Sequence, residues 1–97
     1  MKSLVFSPAA HADIEGIYDY TIERWGIEQA ENYVTELHNT CQNIASDEKK
    51  GRDASYIRSG YSQQTSGSHF IFFRVTEPKT IEIMRILHQK MNFEAHL

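Results

Sequence analysis

His69-Phe70-Ile71-Phe72-Phe73-Arg74-Val75, followed across Glu77-Pro78-Lys79 by Thr80-Ile81-Glu82-Ile83-Met84-Arg85-Ile86-Leu87, decides the fold of this chain. The first run is dense in aromatic and β-branched side chains, which suit a pleated, packed surface and predict a strand buried on both faces. The second is a strand of the same kind. Pro78, with its fixed φ, suits the tight turn between them. Upstream, Ser66-Gly67-Ser68 predicts another turn, and Tyr56 to Thr65 is a weaker third strand. Two short turns joining three strands make a meander.

Working outward to the N-terminus, Leu4-Val5-Phe6 is a short apolar strand ended by Ser7-Pro8. Serine is a good N-cap, because its hydroxyl accepts a free backbone N–H, and proline fits the first helical position, where no N–H is needed. Ala10, Ile14, Ile17, Tyr18, Thr21 and Trp25 then recur at helical spacing as one apolar stripe, closed by Gly26. Ala30, Tyr33, Val34, Leu37, Cys41, Ile44 and Ala45 form a second stripe, so two helices pack as an antiparallel hairpin. Asp13, Asp19 and Glu23 on the first helix, and Glu28, Glu31 and Glu36 on the second, are expected on its outer faces. The polar run from Ser46 to Asp53 is a loop. The order predicts an α+β fold: an N-terminal strand, an antiparallel helical hairpin covering one face of a sheet, then a three-stranded antiparallel meander.

Ninety-seven residues fit one domain, taken as 1–97. No apolar run approaches the ~20 residues that span a bilayer, and the three apolar residues before Ser7 are too few for a signal sequence. With one cysteine, Cys41, no intrachain disulfide can form, and a cytoplasmic location is expected. The formal net charge of −3 hides an asymmetry. Residues 1–48 carry two basic and nine acidic side chains, a balance of −7, whereas residues 49–97 carry eight and four, a balance of +4. The two halves are either solvated faces or surfaces for different partners. A uniform basic footprint is absent, so direct sequence-specific nucleic-acid binding is not expected. The five histidines, at 11, 38, 69, 88 and 96, show no zinc-ligand spacing, and no metal site is expected. Cys41 falls on the apolar stripe and reads as a buried, inert thiol. Tyr18, Tyr20, Trp25 and Tyr33, at helical spacing, read as core and hairpin-interface residues.

Four segments together carry a resemblance that covers nearly the whole chain. They are Phe6-Ser7-Pro8-Ala9-Ala10 with Asp13-Ile14 and Ile17-Tyr18-Asp19-Tyr20; Trp25-Gly26 with Ala30, Tyr33 and Leu37; Gly67 to Arg74; and Ile83-Met84-Arg85-Ile86-Leu87-His88 with Met91-Asn92 and His96-Leu97. In this order and spacing the chain resembles ParE toxins of the RelE/ParE superfamily. The resemblance implies a small antiparallel sheet with a helical hairpin on it. It also implies the toxin half of a type II toxin–antitoxin system, neutralised by a ParD-like or shorter antitoxin whose disordered C-terminal segment folds on binding. The implied target is DNA gyrase, poisoned by contact, with no catalytic residue and no cofactor.

The same superfamily holds RelE-like ribosome-dependent ribonucleases, which need clustered cations and a proton donor and acceptor. Here the last tyrosine is Tyr61, and Tyr61-Ser62-Gln63-Gln64 stands where many relatives place arginine. Arg74, Arg85 and His88 would be a thin catalytic set. A non-toxic antitoxin-binding module is the third reading. Arg85 either pairs with a carboxylate such as Glu82 or Glu94 and anchors the tail, or meets the target. Arg74 carries the same ambiguity, and His88 either packs against the tail or is exposed. Arg74, Arg85, His88, Lys90 and Asn92 are the expected target-binding residues. Leu4 and Phe6 at a sheet edge, with Asp19 and Glu23 on the acidic hairpin, are the expected antitoxin-binding residues, because an open edge invites strand addition. Ile86, Leu87, Phe93 and Leu97 are expected to fasten the tail.

Overall fold

In the computed structural model, which describes residues 2–47, 50–77 and 79–97, β1 (Ser3–Phe6) leads directly into α1 (Pro8–Trp25). The Ser7 hydroxyl accepts the Ala10 N–H at 3.0 Å, and Pro8 occupies the first turn. Gly26 alone separates α1 from α2 (Ile27–Ala45), with φ at 91°, a region open chiefly to glycine. The return brings the chain back to its starting end, where the Lys2 N–H donates to the Ala45 carbonyl at 2.9 Å. β2 (Arg52–Asp53), β3 (Ser62–Ser66), β4 (His69–Glu77), β5 (Thr80–His88) and a one-turn helix α3 (Phe93–His96) follow.

The sheet order is β1-β5-β4-β3-β2. The meander β3–β4–β5 is antiparallel as the sequence predicts, and β1 joins β5 in parallel, with Leu4 beside Ile81 and Phe6 beside Ile83. Two local expectations change. Residues 54–61 form turns rather than strand, so β3 begins at Ser62. Arg52–Asp53, read as loop, adds a two-residue edge strand to β3. Pro78 of the expected β4–β5 turn, and Glu48 and Lys49 of the polar loop, lie outside the described residues.

The hairpin covers one face of the sheet. Leu37, Cys41 and Ile44 of α2 pack there against Ile71, Phe73, Ile81, Ile83 and Ile86. A second, smaller core lies on the opposite face, where Phe72 and Leu87 pack with Ala54 and Tyr61 and are closed by Ile57, Phe93 and Leu97. This explains the unbroken apolar run in β4: alternate residues serve two cores. Fully burying a side chain such as Phe72 contributes roughly 1.5–3 kcal/mol.

Strict alternation would send Ile83 and Ile86 to opposite faces. A register shift prevents it, because Phe73 pairs with Ile83 while Phe72 pairs with Arg85, leaving Met84 without a partner on β4. Such a bulge bends the strand and re-aims its side chains. Both isoleucines therefore reach the hairpin core.

Candidate functional site

Past Ile83, β5 outruns its neighbour β1, and its backbone groups on that edge need partners. The start of α1 supplies them. The Ser7 N–H donates to the Ile83 carbonyl at 2.9 Å, and the Ser7 hydroxyl donates to the carbonyl of the bulged Met84 at 2.7 Å. Asp13 Oδ2 accepts the Ile86 N–H at 2.9 Å. The same carboxylate takes Arg85 through both oxygens, Nε to Oδ2 at 2.8 Å and one terminal nitrogen to Oδ1 at 2.9 Å. Arg85 spends another N–H on the carbonyl of His96 at 2.8 Å. One guanidinium thus joins the sheet, the hairpin and the tail. Asp13 raises the Arg85 pKa above its already high ordinary value, so the group stays charged.

Arg85 is therefore anchored to a carboxylate, and its partner is Asp13 rather than Glu82 or Glu94. Asp13, expected on an outer face, turns toward the sheet. Arg74 pairs with Glu82, its cross-strand neighbour on β5, at 3.1 Å, a contact open to solvent. Asp19 and Glu23 are exposed on α1. Leu4 and Phe6 face the hairpin core, so β1 offers a partner its backbone edge and the outward Val5. Lys90 and Asn92 are exposed at the start of the tail, and Asn92 precedes α3 without capping it. Phe93 stacks edge-on to Phe70 and Phe72, at 5.4 and 5.1 Å between centroids. Leu97 packs on the same core, and Arg58 donates to its carbonyl.

A groove of about 750 Å³ runs between the hairpin and the sheet end. Asp13, Ile17, Tyr20, Trp25, Tyr33, His69, His88 and Met91 are among its walls. Tyr20 and Trp25 are 57% and 71% exposed, which corrects their reading as core. Deep in the groove, the Tyr33 hydroxyl accepts the Ser68 N–H at 2.8 Å and meets His69 Nδ1 at 2.7 Å. The hydroxyl and Nδ1 share one proton-bearing contact, whose direction follows the His69 tautomer. His69 stands edge-on to His88, with centroids 5.3 Å apart. Burial, reinforced by His88, pushes the His69 pKa down to about 4. His88 is half-buried and accepts the Lys90 N–H on Nδ1 at 3.1 Å. Gly67 makes this packing possible, since a Cβ there would lie 2.5 Å from the Tyr33 oxygen. His88 and Met91 line the groove, Arg85 and the rest of the tail adjoin it through Asp13, and Arg74 stands apart on its own ion pair.

Residues 4–93 match the family model described as "ParE toxin of type II toxin-antitoxin system, parDE". The chain belongs to the ParE toxin family. Toxin ParE1 of Mycobacterium tuberculosis is 43% identical over 93 residues, covering 96% of this chain and 95% of that relative. Toxin ParE1 of Caulobacter vibrioides is 43% identical over 97 residues, covering 100% and 99%. Among solved structures, the chromosomal ParDE toxin–antitoxin system from P. aeruginosa superposes with a TM-score of 0.78 at 27% identity, covering 91% of this chain and 96% of the other. The YoeB–YefM complex from Staphylococcus aureus shares the fold, with a TM-score of 0.59 at 17% identity over 92% and 98% of the two chains. This ParE-family chain is thus a type II toxin with the RelE/ParE-like architecture. Among its described residues, no helix is long and apolar enough to cross a membrane.

Proposed function

We propose that this toxin works in the cytoplasm by contact, poisoning DNA gyrase and so blocking replication, and that a cognate ParD-like or shorter antitoxin holds it inactive in a hetero-oligomer. The observation that carries contact over cutting is the pairing of the two arginines of β4 and β5. Arg85 is committed to Asp13 and Arg74 to Glu82. A ribonuclease needs its cations free to meet a developing phosphorane charge. The polar groups left for a target are Lys90 and Asn92 of the tail, beside His88.

For the antitoxin, the reading is supported by the exposed backbone edge of β1, by Asp19 and Glu23, and by the exposed Tyr20 and Trp25 beside them. A long flexible segment that folds on binding can cover such separate patches. The neighbour from P. aeruginosa is described as a ParDE system, which accords with such a partner.

A second reading, a RelE-like ribonuclease, draws on the Tyr33–His69–His88 cluster, which places proton-carrying groups in a groove. Against it, the Tyr33 hydroxyl and His69 Nδ1 are engaged with each other. Controlled expression separates the readings. Arrest of DNA synthesis with intact messages supports the gyrase reading. New 5′ ends at ribosome positions, found by primer extension, overturn it in favour of the nuclease. Undisturbed growth leaves a module that binds antitoxin without toxicity.

A further inference from the structure

We propose that Asp13 is the positioning residue for the C-terminal tail, acting through Arg85, and this role rests on the reading of the tail as the target contact. The tail is held by an apolar seat and by two arginine hydrogen bonds, Arg58 to the Leu97 carbonyl and Arg85 to the His96 carbonyl. Phe93 and Leu97 seat it on the apolar core of the far face. That seat is non-directional and fixes burial more than orientation. The polar pin is directional. Arg85 donates to the His96 carbonyl only while its planar fork is held at the right angle, and Asp13 holds it by two bonds at 2.8 and 2.9 Å. The bulge at Met84, itself tied to Ser7, aims Arg85 at this meeting point.

Asp13 is also fixed from the sheet side by the Ile86 N–H, so the carboxylate cannot follow the tail if the tail moves. It is the stationary member and Arg85 is the arm. Asp13 forms part of the groove wall as well. One carboxylate on α1 is therefore shared by the hairpin groove and the tail.

The test uses the full chain with Asp13→Asn, which keeps an oxygen for the Ile86 N–H but removes the charge that fixes the guanidinium. Backbone order parameters from ¹⁵N relaxation should fall for residues 95–97 from near ~0.85 toward ~0.6, while those of β4 stay unchanged. Asp13→Glu, which keeps the carboxylate, should recover part of the tail order. Should Asp13→Asn fail to fold, Asp13→Glu alone is read: the carboxylate shifted by one methylene should leave the tail less ordered than in the parent protein, and unchanged order overturns the proposal. A tail as ordered as in the parent protein overturns the proposal, as does loosening spread evenly through the sheet. Gyrase inhibition is then measured on the same samples. Loss of inhibition with a loosened tail supports the full proposal. Inhibition that persists with a loosened tail leaves Asp13 as the tail's anchor and overturns the tail as the target contact.

Discussion

Asp13 and Arg85 meet across the seam between α1 and β5 in a two-pronged ion pair, although 72 residues separate them in sequence. Both side chains are largely withdrawn from solvent, at 14% and 23% exposure. Arg85→Ala should therefore destabilise the protein by about 2–3 kcal/mol, because it leaves the Asp13 charge with one backbone donor. Arg85→Lys should recover only part of this, since an ammonium cannot span both oxygens and reach His96. The exposed pair Arg74–Glu82 should matter far less, at most about 1 kcal/mol for Arg74→Ala. Urea unfolding of the three variants checks the ranking, and an equal cost for Arg74 and Arg85 would contradict it.

Gly67 and Tyr33 form the other tight contact. Gly67 has φ at 58°, and an added Cβ would meet the Tyr33 ring and oxygen. Gly67→Ala should cost roughly 2–4 kcal/mol, about 1–2 from the left-handed conformation and the rest from displacing Tyr33 and its two hydrogen bonds. In a Tyr33→Ala background the cost should fall to the conformational part alone. A double-mutant cycle by thermal or urea unfolding measures that difference.

His69 makes stability depend on pH. Its pKa is about 4 in the folded protein and near 6.5 when unfolded. Between these values the unfolded chain binds the extra proton, so stability rises with pH. The neutral imidazole incurs no penalty above pH 6.5, and the penalty grows as pH falls toward 4. Other groups titrate in the same range, so the reading is a difference. The gap in urea midpoint between pH 7 and pH 4.5 should shrink in His69→Gln. An unchanged gap would show that His69 does not carry this dependence.

Cys41 is fully buried on α2, and burial pushes its thiol pKa up to about 12. The thiolate is the reactive form. At pH 8 the folded protein should react with a thiol reagent far more slowly than the same chain in urea, at a rate set by opening of the hairpin. Rapid labelling of the native protein would place Cys41 elsewhere.

The helices were legible because their punctuation is local: Ser7-Pro8 starts α1, Gly26 ends it, and each stripe recurs at steps of three and four. β4 and β5 were legible because Phe70 to Phe73 and Ile86–Leu87 serve cores on both faces and so form apolar runs. The seam was not legible. Asp13 has the same helical surroundings as Asp19 and Glu23, and only the packing of α1 on β5 separates them. Met84 becomes a bulge through pairing with β4, which no local signal marks. Tyr20 and Trp25 sit at core-like spacing, yet both line the open groove rather than the core. His69 and His88 are 19 residues apart in sequence and meet only through the register of β4 and β5.

The central claim is poisoning by contact. Purified toxin, with and without a ParD-like antitoxin, is incubated with DNA gyrase and relaxed or supercoiled plasmid. The account predicts that the toxin inhibits supercoiling or accumulates cleaved plasmid, that the antitoxin reverses the effect, and that no RNA is cut in parallel reactions with translating ribosomes. Gyrase activity unaffected by toxin in excess over enzyme would contradict it.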